Sequence, residues 1–327
     1  MKLLILVLML VLVSCTSKVT KDEKVTKFMS HEEIVQAFNQ DFKVMDEGLD
    51  AAAKDRESQL VPIDELIPLH IKKDSDKKNA MKMMEARSLA DRKGADLSDN
   101  DTPIKKQWNG TCTAFATTAG MENKLKGKYD ISERSVWSKY KRYSSDAALA
   151  AVFKNKVCNE SCWLQTNSNP YPCCKGNEKF RLAKYTYHSG LLEPVLDALD
   201  RGNPVELAMT TPKDMLSCYK VIRPTTGLSF GGHAILIVGY HIDESVKGGG
   251  YFKIKNSWGS HCGDNGYQYL PFHLWDRKDL YTITWELNEV ELNGEPIEPN
   301  CEYKTVCKRQ WYCLWFCKKC YKVRVCK

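Results

Sequence analysis

The 327-residue sequence predicts an α+β chain, an order of elements consistent with two lobes and a cleft between them. Helical periodicity dominates residues 111–202, whereas runs rich in β-branched and aromatic residues follow from Pro204. Helices first and strands second give segregated layers that pack as an α+β chain. Cysteine usage marks the same body: none lies between Cys15 and Cys112, and the remainder is dense in them.

Met1-Lys2 and the apolar run Leu3–Val13 open the chain. A run of 11 residues is too short to span a bilayer and reads as an export signal. Leu12-Val13-Ser14-Cys15 resembles the lipobox of bacterial lipoproteins, which makes Cys15 the candidate lipidation site and residues 1–15 the signal segment. An ordinary cleaved signal peptide is the alternative. Either places the protein outside the cytoplasm, in a bacterial envelope as a lipid-anchored protein of outer membrane or periplasm, or secreted. No later stretch is long and apolar enough for a span.

Residues 16–100 are rich in Lys, Asp, Glu and Ala, with helical spacing at Glu33–Phe38 and around Met81–Leu89. They form a separate segment, helical or partly disordered. From Thr111 a helix runs to about Lys126 and stops at Gly127. Ser132 is a plausible N-cap for a second helix, and a third spans about Leu191–Arg201, ending at Gly202. Cys158, Cys162, Cys173 and Cys174, with Pro170 and Pro172, mark an irregular loop. Strands are expected at Val205–Met209, His233–Tyr240, Gly250–Lys255, Tyr267–Leu270 and Tyr281–Leu287.

The stretch Gln107-Trp108-Asn109-Gly110-Thr111-Cys112 sets a cysteine behind a tight turn and at the head of an apolar helix. There the unsatisfied N–H groups and the helix dipole favour a thiolate. His233 follows Gly231-Gly232 at the head of an apolar strand, and Asn256-Ser257-Trp258-Gly259 follows the next one. Cys112, His233 and Asn256, in that order, resemble the papain-like cysteine proteases (peptidase family C1) over roughly residues 102–290.

The resemblance implies a helical lobe holding the nucleophile helix and an antiparallel β-barrel-like lobe holding His and Asn. It implies Cys112 as nucleophile, His233 as base and later acid, Asn256 as the group that fixes the imidazole, and Trp258 as its shield from water. Gln107 is the implied oxyanion donor beside the Cys112 N–H. It divides the chain into a prosegment or tether at 16–100, a catalytic domain at 101–297 and a Cys-rich basic module at 298–327. Asp91-Arg92-Lys93-Gly94-Ala95 loosely resembles the mature start of family members, so an activating cut is expected between about Lys82 and Asp101.

Several family features are missing. Asn109 replaces a usual cysteine, Thr113 a usual aromatic, and Cys262 displaces a tryptophan expected after Gly259. The turn between Gln107 and Cys112 is one residue tighter than usual. The glycine-rich loop of the main specificity pocket is not recognisable, and neither is the Glu-Arg-Phe-Asn pattern of many prosegments.

Fourteen cysteines in an exported chain imply disulfides. With Cys15 and Cys112 set aside, Cys158, Cys162, Cys173, Cys174, Cys218 and Cys262 form one group. Cys301, Cys307, Cys313, Cys317, Cys320 and Cys326 form another, so two self-contained sets of three bridges are expected. The last 27 residues carry eight Lys/Arg and one acid, Glu302, a net +7 that equals the charge of the whole chain. This tail reads either as an attachment module for an anionic surface or as a stabilising cap.

The sequence therefore predicts an exported cysteine endopeptidase acting as a monomer on protein or peptide substrates, without cofactor, metal or nucleic acid, and held at a membrane by its N-terminal lipid. An inactive envelope-binding relative and a thiol acyltransferase are the alternatives.

Overall fold

The computed structural model of the chain describes residues 28–39, 50–66, 89–141, 143–165, 174–188, 191–296, 301–309 and 318–326. The signal stretch with Cys15, and residues 67–88 with most of the expected Met81–Leu89 helix, lie outside them. No helix among the described residues is long and apolar enough to cross a membrane.

Three short helices come first: α1 (His31–Asn39), α2 (Ala51–Ser58) and the single turn α3 (Ile63–Leu66), the last preceded by the two-residue strand β1 (Val61–Pro62). α1 occupies the periodic Glu33–Phe38 stretch and buries Ile34 and Phe38. The Asp50 carboxylate caps α2 by accepting from the Ala53 N–H at 2.6 Å.

Strand β2 (Ala95–Asp96) leads to α4 (Cys112–Lys124), in which every residue except Ala119 is buried. A helix apolar or buried all round sits at the centre of a body rather than on its surface. In α5 (Glu133–Tyr140), Ser132 is the cap that its sequence implies, its Oγ accepting from the Ser135 N–H at 3.1 Å. α6 (Ser145–Lys154) and β3 (Phe180–Tyr187) were not anticipated. The alanine-rich α6 has weak amphipathic contrast, and β3 emerges straight from the Cys/Pro loop.

After α7 (Leu192–Asp200) come β4 (Val205–Pro212), the short helix α8 (Lys213–Leu216), β5 (Leu228–Ile242), β6 (Gly250–Lys255), β7 (Tyr267–Pro271) and β8 (Thr282–Leu292). The sheet order is β3-β8-β4-β5-β6-β7, with antiparallel pairing throughout, and β1 and β2 add to β5. β9 (Glu295–Pro296) pairs with β8, and β10 (Cys301–Arg309) pairs with β11 (Lys318–Cys326) as a separate ribbon.

Two apolar clusters flank β5. One gathers Cys112, Ala114, Met121, Phe180, Ala234, Trp285 and Leu287 around α4, and the other gathers Ile235, Ile237, Phe252, Ile254, Trp258 and Phe272. Alternation along β5 thus puts Ala234 in the helical lobe and its neighbours in the β lobe, which brings His233 to the seam. Burial of such side chains contributes roughly 1.5–3 kcal/mol each.

Cys158–Cys174 and Cys218–Cys262 are bridged, both within the first expected group, and Cys112 is unbridged. The buried Arg92 guanidinium donates to Glu193, Asp197 and Asp200 of α7 at 2.9, 2.7 and 2.6 Å. With β2 registered on β5 (Ala95↔Tyr240), residues from Arg92 onward are built into the main body.

Candidate active site

Cys112 is the first residue of α4, and Gly110 makes the turn before it with φ of +67°. A Cβ there would also stand 2.5 Å from the Tyr143 ring, so the turn requires glycine twice over. Thr111 Oγ donates to the Trp108 carbonyl at 2.7 Å and closes the turn. Three backbone N–H groups favour the thiolate, those of Ala234, Thr113 and Cys112 itself. The Ala234 contact sets the sulfur against the strand residue next to His233.

The imidazole is held by a chain of hydrogen bonds whose direction can be read. Asn256 Nδ2 donates to Gln268 Oε1 at 2.8 Å, and Asn256 Oδ1 accepts from the Ser257 N–H at 2.7 Å. Oδ1 is therefore the acceptor for His233 Nε2–H at 3.0 Å. That bond fixes the proton on Nε2 and leaves Nδ1 bare, and Nδ1 is buried with no partner among the described residues. Trp258 stacks on the ring at 4.2 Å between centroids and 8° between planes, closing the bond off from water.

Gln268 was not anticipated, since it lies in a stretch that reads only as a strand. Its Nε2 donates to the Tyr219 carbonyl at 2.7 Å, and Tyr219 follows Cys218 of the Cys218–Cys262 bridge. Replacing Gln268 with Leu frees the Asn256 amide to flip and to favour the wrong imidazole tautomer. The expected result is a roughly tenfold fall in kcat with KM unchanged, measured on a peptide substrate.

Gln107 is oriented in the same unambiguous way. Ser257 Oγ donates to its Oε1 at 2.6 Å, and its backbone N–H donates to the Ser257 carbonyl at 2.7 Å. Gln107 Nε2 is left buried without a partner among the described residues, a donor in reserve.

The site is covered. β1 lies antiparallel to β5 with Val61 opposite Gly232 and Pro62 opposite Gly231, beside His233. A Cβ on Gly231 would fall 2.6 Å from Leu60 Cβ, and one on Gly232 would fall 2.6 Å from Leu66 Cδ2. The two glycines clear space before His233, and Leu60, Ile63 and Leu66 fill it. Val61 and Leu66 are buried in the cluster that contains Cys112, and Cys112 and His233 are both 0% exposed.

Burial decides the charge state. It pushes the Cys112 thiol up to about 12 against the pull of the three N–H groups, and it pushes the His233 imidazole down to about 4. The thiolate expected at the helix N-terminus is thus absent from this covered form, because desolvation outweighs the helix dipole. Glu206 accepts from Thr117 Oγ at 2.7 Å, and burial raises its carboxyl to about 8.

The profile of the papain family cysteine proteases matches residues 92–273, more than half of the chain. The chain belongs to that family. Among papain family relatives, it is 30% identical over 190 residues to a cathepsin L-like proteinase of Fasciola hepatica, covering 51% of this chain and 55% of that protein. It is 36% identical over 102 residues to a cathepsin B-like protein, CP2, of Giardia intestinalis, covering 30% and 33%. The chain spans about half or less of the length of these relatives. Its fold matches xylellain, a cysteine protease from Xylella fastidiosa, with TM-score 0.52 at 18% identity, over 61% of this chain and 87% of that one. It also matches a digestive procathepsin L 3 of Tenebrio molitor larval midgut, with TM-score 0.52 at 18% identity, over 72% and 79%. The two-lobed papain-like α+β fold is thereby established.

Proposed function

We propose that this papain family chain is a cysteine peptidase held latent by its own N-terminal segment. The observation that carries the chemistry is the contact of His233 Nε2 with Asn256 Oδ1, an oxygen that can only accept. Asn256 holds the proton on Nε2, so Nδ1 is the base on the strand that contacts the Cys112 sulfur. In the uncovered enzyme Nδ1 takes the thiol proton, the thiolate attacks the peptide carbonyl, and a carbon–sulfur bond forms. The oxyanion receives the Gln107 Nε2–H and Cys112 N–H, donors whose orientation is fixed beforehand. Collapse expels the amine, protonated by His233, and water then hydrolyses the acyl-enzyme with His233 again as base. No cofactor enters these steps.

Hydrolysis and acyl transfer share the acyl-enzyme and differ in the acceptor. Mass analysis of products from a peptide incubated with the processed chain, with and without an added amine, separates them. A free carboxylate product in both cases is expected. Amine adducts alone, or no turnover, would overturn the peptidase reading.

Residues 28–39 and 50–66 act as an inhibitory cover rather than a tether. Their hold on the body includes His31, whose ring packs tilted against that of His241 at 3.8 Å between centroids, bonds Tyr251 Oη at 2.8 Å and pairs with Asp243 at 3.0 Å. The Arg56 guanidinium also donates to the Leu216 carbonyl. Burial, then the neighbouring His31, holds the His241 imidazole below its ordinary value; the Cys112 thiol and His233 only pass a proton between them on uncovering and add no net uptake.

A histidine whose pKa is depressed in the covered state stabilises that state fully above its ordinary value, about 6.5. The contribution is lost as pH falls from there through the depressed value. Acid therefore favours uncovering. Self-activation followed by gel should be faster at about pH 5 than at about pH 7. A rate independent of pH, or faster at the higher pH, would exclude histidine-linked release. The Arg92 clamp confines the activating cut to positions before it, within the upstream part of the expected Lys82–Asp101 range. Export, by the signal stretch and Cys15, and disulfide formation outside the cytoplasm belong to the same proposal, as does membrane attachment by lipid.

A further inference from the structure

We propose that the C-terminal ribbon is a cystine-braced hairpin that docks on an anionic phospholipid surface. β10 and β11 pair antiparallel with Cys301 opposite Cys326 and Cys307 opposite Cys320. Directly opposed positions in an antiparallel ladder have Cα atoms roughly 4.5–5.5 Å apart, within the span of a disulfide. Cys301 and Cys307 are an even number of residues apart, so both pairs belong to one face of the ribbon. An isolated two-stranded hairpin is marginal in water, and two rungs of this kind supply what it lacks. As each S–S bond forms, two thiols give two protons and two electrons to a disulfide-bearing oxidant, which becomes a dithiol. This step rests on the export proposed above.

The same register sorts the remaining positions. Val306 lies opposite Tyr321, with Val323 and Val325 along the same face as Tyr321, and Lys304, Lys308, Lys319 and one acid, Glu302, border them. The cystine face carries Arg309, Lys318, Lys322 and Arg324. Seven basic positions against Glu302 select an anionic partner. The contiguous apolar positions on one face select hydrocarbon beneath the charge, which a bilayer offers and a soluble polyanion does not. Near such a surface each basic residue contributes roughly fivefold in affinity.

The test uses the full chain carrying Cys112→Ala, which halts self-cleavage, and Cys15→Ser, which removes the lipid site. It should sediment with vesicles of mixed phosphatidylcholine and phosphatidylglycerol and not with phosphatidylcholine alone. Lys304→Glu with Lys319→Glu should weaken binding at least tenfold. Equal binding to both vesicles, unchanged binding after deletion of residues 301–327, or binding to heparin or nucleic acid but not to vesicles would overturn the surface. Mass mapping of the unreduced chain should find Cys301 joined to Cys326 and Cys307 to Cys320. Any other pairing of these four would overturn the brace. Failure here leaves the peptidase reading untouched, because peptide hydrolysis is measured separately.

Discussion

Replacing His233 with Ala in the uncovered enzyme lowers kcat by about four orders of magnitude, while the covered protein still folds. The size follows from the double role of the ring. Nδ1 makes the thiolate and later delivers the leaving-group proton, and losing either function stalls the same acyl-enzyme cycle. Cys112→Ala together with His233→Ala should be no worse than either alone, since residues that act as a unit are not additive. The measurement is kcat on a peptide substrate, with thermal unfolding as the folding control. A loss of tenfold or less would mean that another group serves as base. Gln107 and the Cys112 N–H would remain to stabilise the oxyanion, so some activity above the solvent background is expected to survive.

Leu66→Asp should release latency without proteolysis. Leu66 is 0% exposed, lies in the cluster with Cys112, and fills the space over Gly232. An unpartnered carboxylate at that position costs several kcal/mol, and the cover can escape the cost by leaving, whereas the body of the enzyme cannot. The expected effect is an increase of about 100-fold in Cys112 alkylation by a thiol reagent at neutral pH, in intact chains. The same loss of contact should shift the melting temperature of the main body little, because β1 contributes only two residues to the sheet. Unchanged alkylation would mean that residues 60–66 do not control access.

The residues proposed for catalysis were legible in the sequence because each sits in a local pattern: a turn before Cys112, two glycines before His233, and Ser-Trp-Gly after Asn256. It also located the main helices and the strands from Pro204 onward, whose caps and apolar runs are local signals. It did not show Gln268, since a glutamine in a strand looks like any polar position until the Asn256 amide is found against it. His31 and His241 stand in no sequence motif, and only the docking of α1 against the end of β5 and Tyr251 of β6 brings them together. The neutral state of Cys112 was equally invisible. A helix N-terminus is legible in sequence, but the burial that outweighs it depends on Leu60–Leu66 arriving from a distant part of the chain.

The pH dependence of Cys112 alkylation, compared between the covered chain and the chain freed of its N-terminal segment, tests the central claim most directly. The covered chain should stay unreactive at neutral pH, its thiol held up to about 12 by burial. The freed chain should react at a rate nearly flat between about pH 5 and about pH 8, the signature of a thiolate paired with the His233 imidazolium. A freed chain whose rate climbs only near the ordinary thiol value of about 8.5 would contradict that pairing.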